Sequence, residues 1–275
     1  MKSVFLFPNV SKDNIDDAVL KVLDTLKKFD VHVFVPNEYK ILNAKNMNIE
    51  DFKGDMIITL GGDGTMLTAI NKCQNIPIIG INLGHLGFLT ELEITELCYL
   101  ETILNNEFTL DNRMVLELSI VRDNVEIIRE IALNDVIIKT EDSFRIVNIE
   151  VYSNGKEVLD FGGDGIIVAT STGSTAYSLA AGGPIIEPDF EAICVTPICS
   201  HKLSGKSFVF SNEREIIIKI EERNQNIAFI AVDGNHNVRI YPTDIIKITK
   251  SEKYIPFIRV KGQTFFDVFK QKIGG

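Results

Sequence analysis

Met56-Ile57-Ile58-Thr59-Leu60-Gly61-Gly62-Asp63-Gly64-Thr65-Met66-Leu67 decides the architecture of the first third of the chain. An apolar run passes without a break into a glycine turn, and a helix-like stretch over 66–72 follows. The order is strand, turn, helix start. Glycines in such a turn let the backbone approach a ligand closely and reach positive φ without strain. Unpaired N–H groups at a helix N-terminus attract phosphate. A carboxylate, Asp63, is electrostatically odd inside an anion site. It makes sense if it takes a proton from a hydroxyl or helps hold a metal between phosphates. The functional reading is phosphoryl transfer or nucleotide binding, weighed against an ordinary glycine turn with a capping Asp.

Around this turn, strand-like and helix-like segments alternate up to about residue 105. Residues 4–8, 31–35, 56–60 and 76–81 read as strands. Residues 11–29 read as a helix, with Ser11 as its cap and Ile15, Val19, Val22 and Leu26 on one apolar face. Such alternation builds a parallel sheet with helices packed on it, a Rossmann-like α/β domain. Ligands of that architecture bind beyond the carboxyl ends of strands, where 61–65 and 82–88 both fall.

Beyond residue 105 short β-strands take over. Residues 115–121 and 125–133 flank the turn Arg122-Asp123-Asn124, and 145–152 and 157–161 flank Asn154-Gly155, a strong hairpin signal. Residues 216–220, 227–232, 238–240 and 245–248 continue the pattern of an antiparallel, sandwich-like β domain. Residues 264–273, with Phe265, Phe266 and Phe269, read as a short helix returning to the first domain. The expected division is 1–104 (α/β), 105–262 (β-rich) and 263–275 (C-terminal helix). No proline- or serine-rich linker separates the halves, so a tight interface with a cleft is expected.

A second polar glycine cluster lies in the β region: Phe161-Gly162-Gly163-Asp164-Gly165, then Thr170-Ser171-Thr172-Gly173-Ser174-Thr175-Ala176-Tyr177. So many hydroxyls and glycines beside one aromatic are poor core material and suit a ribose, a phosphate or a flat base. Tyr177 is placed to stack on a base. The competing reading is a capped helix start at Ser174 or Thr175. The flanks of the two Gly-Gly-Asp-Gly copies do not match, so they are not a duplication. Asn134-Asp135 can chelate the two hydroxyls of a ribose, and a bulge or turn explains the pair equally well. His85 and His201 lack partners at metal-ligand spacing, and His32 and His236 carry no signal. Ser174 is not in a Gly-x-Ser-x-Gly nucleophile elbow.

Composition bounds the function classes. The 275 residues are 45% hydrophobic, ample for a core, and carry a net charge of −10 with no lysine-arginine block. That excludes a nucleic-acid footprint and docking to anionic membranes. Cys73, Cys98, Cys194 and Cys199 have neither metal-site nor redox spacing and read as free thiols. The N-terminal apolar run is too short for a signal peptide and no segment is long enough to span a membrane, so a reducing cytoplasm is expected.

Together these segments resemble the NAD kinase family over most of the chain. The glycine turn 61–67 looks like the family's glycine-rich motif, and Asn82-Leu83-Gly84-His85-Leu86-Gly87-Phe88-Leu89 is similar to its next block. Asn134-Asp135 matches the Asn-Glu/Asp pair, 164–179 the long threonine-glycine-serine block, and Thr196-Pro197-Ile198-Cys199 a later one. The first motif is shared with diacylglycerol and sphingosine kinases and phosphofructokinases; the long block selects NAD kinase. Two departures are Ser171, where proline is usual, and Asn235, where glutamine is common.

The resemblance implies transfer of the γ-phosphate of ATP to the 2′-hydroxyl of the adenosine ribose of NAD, giving NADP and ADP. It implies a divalent metal, Mg²⁺, with ligands the sequence does not identify, and a homodimer or homotetramer. Asp63 would be the base, with Gly61, Gly62, Gly64 and Thr65 as the phosphate loop. Asn134 and Asp135 would hold the ribose hydroxyls or the adenine, and Asp164 the nicotinamide end. Thr175, Ala176 and Tyr177 would wall a base with Ala180 behind; Phe88 is a further wall, Arg145 a polar contact and Asn235 a weaker candidate. A lipid kinase would share the glycine turn but needs a membrane-facing surface. A non-catalytic nucleotide sensor would have no use for Asp63.

Overall fold

The computed structural model describes residues 1–84, 87–140, 146–202, 205–221 and 228–273, excepting the side chains of 236, 237 and 273. The chain forms two compact units, Met1–Asn112 with Tyr254–Gly275, and Arg113–Lys253. The first opens with β1 (Ser3–Pro8), α1 (Ile15–Leu26), β2 (His32–Val35), β3 (Lys45–Asn46), β4 (Met56–Gly61) and α2 (Asp63–Lys72). Strands β5 (Ile78–Asn82) and β6 (Leu92–Glu93) and helix α3 (Tyr99–Leu104) follow. The strands lie in the order β3-β2-β1-β4-β5-β6, all parallel. Every residue of β4 and β5 is buried, as expected of central strands covered on both faces. The α1 stripe of Ile15, Ala18, Val19, Val22, Leu23 and Leu26 packs into one core with Leu6, Ile58, Leu100 and Ile103.

Helix α1 starts later than the sequence suggests. Asn14 is left-handed, with φ 60°, which starts the helix at Ile15. Ser11 is no cap: its N–H and hydroxyl both donate to Asn9 Oδ1, at 3.2 and 2.7 Å, closing a turn after β1.

Strand β7 (Thr109–Arg122) carries the chain from the first unit into the second without a linker. It forms a hairpin with β8 (Val125–Ala132) through Asp123 and Asn124, both at positive φ. Next come β9 (Asp135–Thr140), β10 (Val147–Ser153), β11 (Lys156–Gly163), β12 (Gly165–Thr170) and a short helix, α4 (Tyr177–Ala180). Strands β13 (Ala192–Ile198), β14 (Phe208–Ser211), β15 (Ile216–Ile220), β16 (Ala228–Val232), β17 (Asn235–Ile240) and β18 (Ile245–Arg259) complete the unit. A six-stranded antiparallel sheet runs β14-β13-β12-β9-β16-β17. The second layer runs β11-β10-β15-β18, also antiparallel, with β10 lying against β12 and β8 against β16. This is the expected antiparallel β domain.

Strand β13 is the main element the sequence conceals. Pro197 lies inside it, opposite Ile166, and all seven residues are buried. An internal proline argues against a strand, because it cannot donate to the ladder.

Strand β18 starts in the second unit, where Ile246 and Ile248 pair with Ile218 and Ile216, and ends in the first, where Phe257 pairs with Ile78. Both unit boundaries, at 112/113 and 253/254, therefore fall inside continuous strands rather than at 104/105 and 262/263. Strand periodicity carries no mark of such a crossing. The chain ends in α5 (Phe265–Ile273), which returns to the first unit as expected. Its rings of Phe265 and Phe269 lie 6.3 and 6.5 Å from that of Phe88. Among the described residues, no helix is long and apolar enough to cross a membrane.

Candidate functional site

In the first unit, β4 ends at Gly61 and α2 begins at Asp63, with no loop between them but Gly62. The helix thus starts three residues earlier than its apolar pattern suggests, and Asp63 is its first residue. The glycines are not there for positive φ: Gly62 has φ −123°, and none of Gly61, Gly62 and Gly64 is left-handed. Gly61 lacks room for a side chain, since a Cβ would sit 2.1 Å from Thr65 Oγ1. A Cβ on Gly62 or Gly64 would meet open space. Thr65 Oγ1 accepts from Asn9 Nδ2 at 3.1 Å and from the Gly62 N–H at 3.4 Å, tying the turn to the end of β1. A cavity of about 290 Å³ adjoins this turn, lined among others by Asn9, Glu38, Thr65, Thr68 and Lys72.

The half-buried Asp63 carboxylate is held by three backbone amides. Phe88 N–H donates to Oδ2 at 2.8 Å; Leu89 and Thr90 N–H donate to Oδ1 at 3.1 and 3.4 Å. This is the physical link between the two sequence blocks that end β4 and β5. It also explains Gly87: a Cβ there would lie 2.0 Å from Asp63 Oδ1. The Phe88 ring is occupied by α5, with Lys272 Nζ 4.0 Å from its centroid.

In the second unit the structure gathers Asn134, Asp135 and the 170–177 stretch. Thr170 donates from its hydroxyl to Leu133 O (2.6 Å) and from its N–H to Asn134 O (2.9 Å). Residues 172–175 form a short 3₁₀ turn packed so closely on Asn134 that a Cβ on Gly173 would lie 2.0 Å from its carbonyl oxygen. Neither Ser174 nor Thr175 caps a helix: α4 begins after Ala176 with no side-chain cap, and both hydroxyls turn back to carbonyls of the 3₁₀ turn. Ser174 is fully buried, donating to Ser171 O and accepting from Ile186 N–H at 3.0 Å. Thr175 donates to Thr172 O at 3.2 Å. Ser171 supplies by hydrogen bonds the rigidity that a proline would give: its hydroxyl donates to Phe190 O and accepts from Ala192 N–H at 3.1 Å.

Tyr177, 37% exposed, opens α4; Ala176 before it is half-buried and Ala180 is exposed. Lys139 Nζ approaches the Tyr177 hydroxyl at 3.5 Å. The half-buried Asp164 hydrogen-bonds the Cys199 thiol, and this contact with its negative charge raises the thiol's pKa. Asn235 is exposed and donates to the carbonyl of Asp233 at 3.4 Å, inside its own hairpin turn. Arg145 lies outside the described residues.

Asp233 is the residue sequence reading missed. Its carboxylate accepts from the N–H groups of Leu133 (2.8 Å), Asn134 (2.8 Å) and Asp135 (3.0 Å). It fixes the backbone of the Asn-Asp pair from 98 residues away, and its only local signal is the Asp-Gly of a hairpin. Asp135 is 3% exposed, and its carboxyl meets no hydrogen-bond donor among the described residues. Burial, and then the neighbouring Asp233 charge, push its pKa up to about 7. Burial also raises Asp233, while its three amide donors pull the other way. The three amides favour the charge on Asp233, while burial and that charge favour the proton on Asp135.

Among the described residues, no group of three or more His, Cys, Asp or Glu side chains is arranged to hold a metal ion.

The profile described as the ATP-NAD kinase N-terminal domain matches residues 4–108, and that of the ATP-NAD kinase C-terminal domain matches 133–260. The NAD kinase of Thermoanaerobacter sp. (strain X514) is 40% identical over 285 aligned positions, covering 99% of each chain. That of Natranaerobius thermophilus is 35% identical, covering 100% of this chain and 99% of its own. Yeast NADH kinase complexed with NADH shares the fold at a TM-score of 0.88 and 24% identity, over 100% of this chain and 88% of its own. An NAD kinase from Archaeoglobus fulgidus in complex with ATP superimposes with a TM-score of 0.78 at 27% identity, over 98% and 99% of the two chains. Nothing in these comparisons favours a lipid kinase or a non-catalytic sensor.

Proposed function

Because the chain belongs to the NAD kinase family, it phosphorylates NAD with ATP to give NADP and ADP, and we propose that Asp63 is the residue that readies the accepting ribose hydroxyl. The observation that carries this role is the grip of three amides on its carboxylate. Each carboxylate oxygen has two lone-pair directions, so amide donors on both leave room for a hydroxyl proton. The amides fix where the remaining lone pair, on Oδ2, points. A ribose hydroxyl is a poor nucleophile, and proton acceptance by a positioned base contributes roughly 10²–10⁴-fold in rate. The larger share comes from alignment of donor and acceptor.

Asp63 and Gly64 N–H groups, at the first turn of α2, meet no acceptor among the described residues and suit phosphate oxygens. In this reading Gly61, Gly62, Gly64 and Thr65 shape the phosphate loop. Open space above Gly62 and Gly64 supports it. Asn134 and Asp135 bind the ribose or adenine of NAD. A protonated Asp135 donates a hydrogen bond, and an ionised one accepts from ribose hydroxyls. Asp164 takes the nicotinamide end, and Thr175, Ala176 and Tyr177 form the wall behind a base, with Ala180 next to it.

Among the described residues, the side chains do not form a metal cage. A divalent cation, when bound together with ATP, would supply charge neutralisation on the phosphates. A cytoplasmic homodimer or homotetramer completes the proposal.

The test is NADP formation by the purified chain, read with an NADP-specific dehydrogenase. ATP with NAD is expected to give stoichiometric NADP. Absence of NADP with ATP, or turnover of diacylglycerol or sphingosine instead, refutes the assignment.

A further inference from the structure

The loop that holds Asp63 is itself held from its other side. Residues 88–90 present their amides to Asp63, and the end of this loop is tied both to β5, through Glu91 N–H to Gly80 O at 3.0 Å, and to the C-terminal segment. Arg259 Nη1 donates to Leu89 O at 3.5 Å and to Glu91 Oε2 at 3.0 Å. Glu91 Oε1 accepts from the N–H groups of Val260 and Lys261 at 2.8 and 2.9 Å. Glu91 is nearly buried, with 8% of its side chain exposed, and Arg259 is anchored in turn by Asp111 at 3.1 Å. Shielded charge-assisted bonds of this kind are short and directional.

Four residues after Lys261, α5 begins. Thr264 caps it, exchanging hydrogen bonds with Asp267 at 2.9, 2.6 and 3.3 Å. Phe265, Phe269 and Lys272 then share one face at i, i+4 and i+7. All three meet the ring of Phe88, the residue whose N–H makes the shortest bond to Asp63. A nine-residue helix is marginal alone, so the packing of its half-buried Phe265 and Phe269 against Phe88 adds to its order.

We propose that the C-terminal segment, from Arg259 through α5, positions Asp63 for proton transfer by clamping residues 88–91. This rests on the reading of Asp63 as base. The helix touches no reacting atom in this scheme; it is a positioning element. A small displacement of a catalytic group is costly, since about 1 Å of misplacement can cost 10²-fold in rate.

The test uses the full-length chain. Phe269→Ala should lower kcat about tenfold and leave KM for NAD and ATP within about twofold, and Phe269→Leu, which keeps an apolar contact, should recover most of the loss. The same Phe269→Ala change placed on Asp63→Asn should cost less than about twofold more, because both changes act through one carboxylate. Unchanged kcat in a folded Phe269→Ala protein, or a tenfold loss that persists undiminished on Asp63→Asn, overturns the proposal. A raised KM with normal kcat also overturns it. Should Phe269→Ala fail to fold, Lys272→Ala, which removes only the ammonium over the Phe88 ring, is read by the same criteria. Asp63→Asn alone reports on the base assignment, and the Phe269 change on wild type reports on the clamp, so the two failures look different.

Discussion

Replacing Asp135 by asparagine should stabilise the protein at neutral pH while weakening its grip on NAD. Asp135 is 3% exposed, faces the Asp233 charge and has its pKa pushed from 3.8 to about 7. The folded value lies above the unfolded one, so the protonated form is the one folding favours. Below pH 3.8 both states hold the proton and stability is complete. Between pH 3.8 and about 7 the unfolded chain ionises while the folded one does not, and stability falls by about 1.4 kcal/mol per pH unit. Over that window the loss accumulates to on the order of 4 kcal/mol, then levels off once both states are ionised. Asparagine never ionises and so removes the slope. For a chain of this size the gain corresponds to an upper bound of roughly 8–16 °C in Tm. Calorimetric melting of both proteins from pH 4 to pH 8 measures it. The Tm difference should open progressively as pH rises through this window. Parallel curves would show that Asp135 is ionised and compensated in the fold, and would refute the burial argument. The native carboxyl is then kept for binding rather than stability, a common trade at functional sites.

Three further outcomes are expected. Gly87→Ala puts a methyl 2.0 Å from Asp63 Oδ1, so turnover should fall at least tenfold with the circular dichroism spectrum unchanged; normal kcat would mean that the carboxylate position is not critical. Tyr177→Ala should weaken NAD binding in calorimetry more than Tyr177→Phe, because the ring face makes the contact; equal losses would point to the hydroxyl instead. Ser171→Ala removes the acceptor for Ala192 N–H and the donor to Phe190 O, and should cost about 1–3 kcal/mol in urea unfolding; a neutral result would show that the Ser171 hydroxyl does not rigidify the 170–192 region.

Local chemistry was legible in the sequence wherever one segment carries its own signal. The β4–Gly–Asp–α2 junction, the Asn154-Gly155 hairpin, the antiparallel run after residue 105 and the helix at 265–273 all have such signals. What sequence did not show is set by partners far along the chain. Asp233 lies 98 residues from the Asp135 amide it accepts from, and only a hairpin Asp-Gly marks it. The role of Gly87 depends on a carboxylate 24 positions earlier, so the residue reads as a plain loop glycine. Strand β13 was masked by Pro197, tolerated because it costs only its own ladder bond. Phe88 is a candidate wall for NAD through the family resemblance, and nothing local marks its contact with α5, which comes from 177 residues away. Asn14 in the left-handed region, not Ser11, starts α1, and asparagine's tolerance of that conformation is too common a property to mark a helix start.

The most direct test of Asp63 as the base is Asp63→Asn, assayed for NADP formation and for NAD binding by calorimetry. Asparagine keeps the size and one oxygen acceptor for the amides of 88–90 but cannot take the ribose proton. Turnover should fall roughly 10²-fold or more while the NAD dissociation constant stays within several-fold. Near-normal turnover in a folded Asp63→Asn protein would contradict the mechanism.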